Sequence, residues 1–175
     1  MHVPIIGSMI STVDRTVAVE LVIDSAASRI FDVLANPANH AALDGTDTVR
    51  TPMLDAPDRL HAGATFTMRM RTRPPNLTLS SLVQAAVALT HRGRLTNVVT
   101  EFDEPHRIAW QNFGRHIWRY ELEPLTPTRT LVRETFDYST NIAPWLLELA
   151  RFPTVNHRAM QETLDRLAAT ASMKV

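Results

Sequence analysis

The sequence predicts an α+β fold in which a curved antiparallel β-sheet wraps around a long C-terminal helix. Three observations predict it. Four extended segments follow one another between residues 94 and 139, separated only by short turn signals. An earlier strand, 15–23, hands over at Asp24 to a short helical stretch that Asn36-Pro37 breaks at once. The chain then closes on an amphipathic helix of about 18 residues after Pro153. Each meander strand is apolar on one face only, so a single sheet needs one cover, and the final helix supplies it. A strongly twisted sheet curling around a helix encloses a space between them.

The chain has 175 residues, which suits a single domain over 1–175 with a sizeable core. Lys+Arg and Asp+Glu number 18 each, so the overall charge steers the protein toward neither nucleic acid nor anionic membrane. There is no cysteine, which excludes disulfides, thiolate catalysis and cysteine-ligated metal centres. No basic leader precedes the first apolar patch, and the longest largely apolar stretch, Leu82 to Leu89, falls far short of the ~20 residues of a membrane span. These features point to a cytoplasmic protein without stable membrane insertion.

Each element has its own signal. Residues 1–14 read as irregular or a short edge piece. In 15–23, Val17, Val19, Leu21 and Ile23 alternate with Ala18, Glu20 and Val22, a period of two. Asp24 or Ser25 is placed to cap the helix that follows. There Ile30, Phe31 and Leu34 share a face, and a second short turn, "ANHAAL", leads to Asp44-Gly45. The short helices within 27–41 plug one end of the curled sheet. Residues 48–54 read as an edge strand because of Pro52. Residues 64–72 alternate cleanly, with Phe66, Met68 and Met70 on one face. Pro74-Pro75 ends that strand. Leu79, Leu82, Val83, Ala86 and Val87 then recur at helical spacing, and Gly93 stands where a C-cap would. The meander strands are 94–102, 107–113, 116–124 and 130–139. A brief helix over 143–151 precedes the last one, whose apolar stripe runs through Val155, Met160, Leu164, Leu167, Ala168 and Ala171.

Four stretches in this order resemble the START-like, helix-grip superfamily, specifically its SRPBCC or polyketide cyclase/dehydratase group. They are "VIDSAASRIFDVLANPANH", "NVVTEFDEPHRIAWQNFG", "WRYELEPLTPTRTLVRETFDYS" and "HRAMQETLDRLAA", and the resemblance covers most of 15–171. It implies a binder of hydrophobic or lipid-like small molecules with a central cavity, some relatives being enzymes, and no universal catalytic residue. The chain departs from the group at 73–92, where relatives have a short turn. The helical insertion around 77–90 reads as a lid, a homodimer contact or a helix packed statically on the sheet.

Glu134 is the residue most suited to chemistry. It shares strand parity with Val132, Phe136 and Tyr138. If that parity faces the helix, its carboxyl lies in the cavity, where desolvation disfavours its charge and general acid–base work becomes available. With the opposite parity, or with an arginine on the neighbouring strand, it is structural. His157 on the last helix is a second acid–base candidate. Trp118, Tyr120 and Leu122 share parity, as Ile108 and Trp110 do on the neighbouring strand, so the aromatics serve as core or ligand wall. Phe66, Met68 and Met70 form an adaptable apolar wall. Asn97, Met160 and Leu164 complete the proposed ligand-binding set. The seven histidines show no metal spacing and fall mostly in turns, which makes surface positions the expectation for them. No nucleotide-binding motif, cofactor motif or activated serine is present. The leading function is therefore binding of a hydrophobic or aromatic small molecule, the alternative a cyclase- or dehydratase-like enzyme.

Overall fold

The computed structural model describes residues 5–73 and 77–173. Pro74, Pro75 and His2 lie outside them.

Eight strands form one antiparallel sheet in the order β1-β2-β8-β7-β6-β5-β4-β3. They are β1 (Ile5–Ser11), β2 (Thr16–Ile23), β3 (Val49–Pro52), β4 (Thr65–Met70), β5 (Arg94–Asp103), β6 (Arg107–Asn112), β7 (Ile117–Thr126) and β8 (Arg129–Asp137). The helices are α1 (Ala27–Ala35), α2 (His40–Leu43), α3 (Leu79–Thr90), α4 (Pro144–Leu149) and α5 (Phe152–Ser172), with a 3₁₀ turn at Pro37–Asn39. This is the helix-grip arrangement. The N-terminal piece is an edge strand, hairpin-paired to β2. The final helix has 21 residues and begins one residue before Pro153.

Two capping expectations are corrected. Neither Asp24 nor Ser25 caps α1, whose N-cap is Ala26. The Ser25 hydroxyl instead donates to the Ala171 carbonyl at 3.3 Å, tying the loop to the end of α5. At the end of α3 the first left-handed residue is Arg92 (φ 55°), with Gly93 (φ 70°) behind it. The Gly93 amide reaches Ala88 O and the Arg92 amide reaches Leu89 O. That is the paired closure of a Schellman turn, shifted one residue earlier than Gly93 suggests.

The core forms where α5 meets the first half of the sheet. Val17, Val19, Leu21 and Ile23 of β2 are fully buried, as are Met160, Leu164 and Leu167 of α5. Helix α5 lies over β1, β2 and β8 and is flanked by α1, α2 and α4. Burying such side chains is worth roughly 1.5–3 kcal/mol each, so this half anchors the helix. The other half of the sheet curls away from α5. Gly45 seals one edge of the gap, since a Cβ there would stand 2.0 Å from the Ala159 carbonyl oxygen, and its amide donates to Thr163 Oγ1 at 3.1 Å.

Helix α3 is oriented against its own apolar pattern. Its buried positions are Ser80, Ser81, Ala85 and Ala88. Leu79, Leu82, Val87 and Leu89 are exposed. The inward side is made of small residues, Leu79, Leu82 and Leu89 face outward, and Val83 and Val87 lie at the cavity border.

Candidate functional site

The gap between α5 and strands β4 to β8 is a cavity of about 340 Å³. Alternation in β4 turns Phe66, Met68 and Met70 into it; β5 adds Asn97, and β6 adds Trp110. Strand β7 contributes Trp118 and Tyr120, and β8 contributes Glu134 and Phe136. From α5 come Asn156, Ala159, Met160 and Thr163, spaced along one helical stripe. Leu34, His40 and Leu43 from the two short helices close one end. The other end is bordered by Val83, Val87 and Ala88 of α3, the Phe113-Gly114 turn, and Ile142, Leu146 and Leu147.

The aromatic wall has two groups of touching rings, one around Trp110 and one around Phe136. His40 stacks on Trp110 at 4.9 Å, Trp110 tilts against Tyr120 at 5.5 Å, and Trp118 lies 4.7 Å from Phe136. Phe66 meets both His40 and Trp110 edge-on.

The polar centre is the cross-strand pair Tyr120–Glu134. Tyr120 donates its hydroxyl to Glu134 Oε1 at 2.9 Å. Glu134 is 2% exposed, and its Oε2 has no partner among the described residues. Burial pushes the carboxyl up to about 8, the hydrogen bond from Tyr120 opposing and the charge of Asp44 adding to the rise. At neutral pH Glu134 is thus a neutral acid. Because Oε1 accepts from tyrosine, the proton resides on Oε2, which is then an unused donor. Burial and the neighbouring carboxyl likewise raise Tyr120 well above its ordinary value.

Two histidines belong to the cavity wall, which corrects the surface expectation for His40 and His116. The His40 Nε2 lies 2.8 Å from the Leu34 carbonyl oxygen. A carbonyl only accepts, so Nε2 carries the hydrogen, and burial lowers the ring's affinity for a second proton. Nδ1 is left as an acceptor. His116 sits between the side-chain amides of Asn112 and Asn141, at 3.0 and 3.2 Å. A neutral imidazole has one accepting nitrogen, so only one of these amides can donate to the ring, and burial pushes this imidazole down to about 4.

Two expected positions lie elsewhere. Leu164 is buried in the α5 core and His157 is half-buried, and neither lines the cavity. A helix turns 100° per residue, so the stripe that admits Asn156 and Met160 carries His157 away from it. Signals for the missed residues existed. His116 shares period-two parity with Trp118 and Tyr120, and Asn156 and Thr163 interrupt the apolar stripe through Met160. Among the described residues no group of His, Asp and Glu has the geometry to hold a metal ion, and no helix is long and apolar enough to cross a membrane.

Comparison with known proteins gives the same frame. The family described as Polyketide cyclase / dehydrase and lipid transport matches residues 14–172. An uncharacterized protein of Mycobacterium tuberculosis, Rv0088, is 29% identical over 172 residues, covering 96% of this chain and 67% of that protein. Among solved structures, the Zhui aromatase/cyclase from a Streptomyces species aligns with a TM-score of 0.61 at 12% identity, covering 90% of this chain and 93% of that one. A point mutant of norcoclaurine synthase from Thalictrum flavum, bound to a transition-state analogue, aligns with the same TM-score at 12% identity, covering 93% and 97%. A protein of Arthrobacter aurescens aligns at 0.68 with 12% identity, covering 97% and 92%. At these identities the likeness is one of fold.

Proposed function

The chain belongs to the polyketide cyclase / dehydrase and lipid transport family, and from that premise we propose that it binds a hydrophobic or aromatic small molecule in the cavity between the sheet and α5. The observation that carries this reading is a mostly apolar cavity with the buried carboxyl of Glu134 in its wall, whose Oε2 lacks a partner among the described residues. An unsatisfied buried polar atom costs about 1–3 kcal/mol, a cost that a ligand hydrogen bond would remove. The volume falls at the small end of ligand pockets, about 300–1,000 Å³. Phe66, Met68, Met70, Trp110, Trp118, Phe136 and Met160 supply apolar contact, and Asn97, Tyr120 and Glu134 supply orientation. The ligand class that fits is an aromatic or polycyclic molecule with an acceptor, such as a carbonyl, directed to Glu134 and a donor, such as a hydroxyl, directed to His40 Nδ1. The protein works in the cytoplasm as a single domain.

One observation favours a second reading, a cyclase- or dehydratase-like enzyme. Catalysis needs at least two titratable groups on one cavity. Glu134, Tyr120 and His40 all line this one, with the carboxyl poised near neutrality as a general acid requires. His157, off the cavity, takes no part.

Native mass spectrometry of the purified protein tests the binding reading. The expected result is a population heavier than the 19.6 kDa chain by one small organic molecule, lost on activation in the gas phase. Glu134→Gln, which keeps the shape and exchanges the acid for an amide, should weaken retention of that molecule about tenfold. If turnover of the identified molecule is seen and vanishes in Glu134→Gln while binding persists, the enzyme reading replaces the first. Protein with bare mass that takes up no aromatic ligand would end both.

A further inference from the structure

We propose that the rim of the cavity mouth docks reversibly on an anionic lipid surface. Three segments make this rim, and contacts hold them side by side. His91, at the end of α3, packs on Phe113 with ring centroids 4.1 Å apart. Gly114 O accepts hydrogen bonds from the Ile142 amide and from Asn141 Nδ2. Thr140 Oγ1 donates to Arg115 O at 2.6 Å. The rim therefore runs from α3, across the 112–116 turn, to α4.

Its large side chains point away from the protein. Leu79, Leu82 and Leu89 of α3 are 44–62% exposed, and Ile142, Trp145 and Leu149, on the other side of the 112–116 turn, are 63–67% exposed. Helix α3 spends its small residues on the protein and its leucines on the outside, the reverse of a helix packed for its own sake. A tryptophan among such leucines suits the headgroup–acyl boundary, where its ring is buried and its N–H stays wet.

Charge identifies the occupant. The chain as a whole is balanced at 18 against 18, but its rim is not. Residues 70–94, 112–116 and 139–151 hold Arg71, Arg73, Arg92, Arg94, Arg115 and Arg151 against a single acid, Glu148. None of the six arginines forms an ion pair among the described residues, whereas Glu148 is engaged by Arg15 at 3.4 Å. A second copy of this chain is disfavoured as the occupant. A two-fold contact through this face would set like charges against each other. An anionic bilayer satisfies both features at once, each arginine near its surface adding ~1 kcal/mol. Docked this way, the cavity mouth opens onto the lipid.

Vesicle flotation of the full chain tests it, using phosphatidylcholine vesicles with and without phosphatidylglycerol, at low and high salt. The expected result is flotation with the phosphatidylglycerol vesicles, weakened by salt and absent with phosphatidylcholine alone. Arg92→Gln with Arg115→Gln should lower affinity about fivefold per arginine. Leu82→Asp with Leu89→Asp should abolish flotation while circular dichroism stays that of the parent, because both side chains are outside the core. Absence of flotation at low salt overturns the proposal. So does salt-insensitive binding, or variants that float like the parent. A dimer in sedimentation velocity that the leucine variant dissociates would assign the face to a second copy instead.

Discussion

At the scale of residues, the account turns on a carboxyl moved from water into an apolar wall. Folding takes Glu134 from its ordinary 4.5 to about 8, so the folded protein holds this proton more tightly than the unfolded chain. Its contribution to stability is full below about pH 4.5 and is lost as pH rises through about 8. Glu134→Gln removes that dependence. Urea denaturation across this window should therefore show the variant gaining on the parent by about 1.4 kcal/mol per pH unit. Parallel curves would mean that Glu134 is ionised in the folded protein. Tyr120→Phe removes a hydrogen bond that favours the charged form, and the carboxyl should then titrate above 8 by carbon-13 NMR. His116 has the opposite sign. Its value falls from 6.5 to about 4, so its contribution is full above pH 6.5 and lost as pH drops through about 4. The His116 ring resonances should stay flat from neutral pH to about 5 and move only near 4; a midpoint near 6.5 would contradict its burial in the cavity wall.

At the scale of elements, periodicity says which residues share a face and leaves open which face a neighbour covers. In β4 and β8 the two questions have one answer, because a strand has only two faces and the apolar one must be buried. Parity alone separates Glu134 from Arg133, and Arg133 reaches the outer surface to pair with Glu20 at 3.0 Å. In α3 the answers diverge. The leucine spacing marks a helix, but an inward side made of serine and alanine looks polar or neutral in sequence, so the direction the helix faces is legible only in three dimensions. Helix α5 shows the same limit more mildly. Its stripe is readable from Met160 to Ala171, but whether a position meets core or cavity depends on where the sheet curls away, and that separates Leu164 from Met160. The Gly45 contact is invisible to pattern, since it is set by the approach of a loop to the α5 backbone. Gly45→Ala should cost about 1–3 kcal/mol of stability by thermal denaturation, as α5 or the loop is pushed back. A neutral substitution would show that the edge of the cavity is looser than this contact implies.

At the scale of the molecule, one long helix anchored on half of a curved sheet leaves the other half without a cover. The protein's own side chains do not fill that space. The order of strands and helices was enough to read the architecture, because a meander with one apolar face needs a single lid and the chain offers only one helix of sufficient length. The chemistry of the wall was only partly readable. His40 reaches the cavity from a short helix, where nothing in the sequence tells it from a surface histidine, and His116 from the position just before β7, where its parity with Trp118 and Tyr120 is the one mark. The chain has three tryptophans, at 110, 118 and 145, and the first two line the cavity while the third is exposed. In a Trp145→Phe protein, all tryptophan fluorescence therefore reports on the cavity. Titrating that protein with 2-naphthol, an aromatic hydroxyl compound, is the most direct test of whether the space admits a guest. The account predicts saturable quenching at one equivalent, abolished when Ala159→Phe fills the gap from α5. Linear, unsaturable quenching that is the same in the filled variant would contradict it.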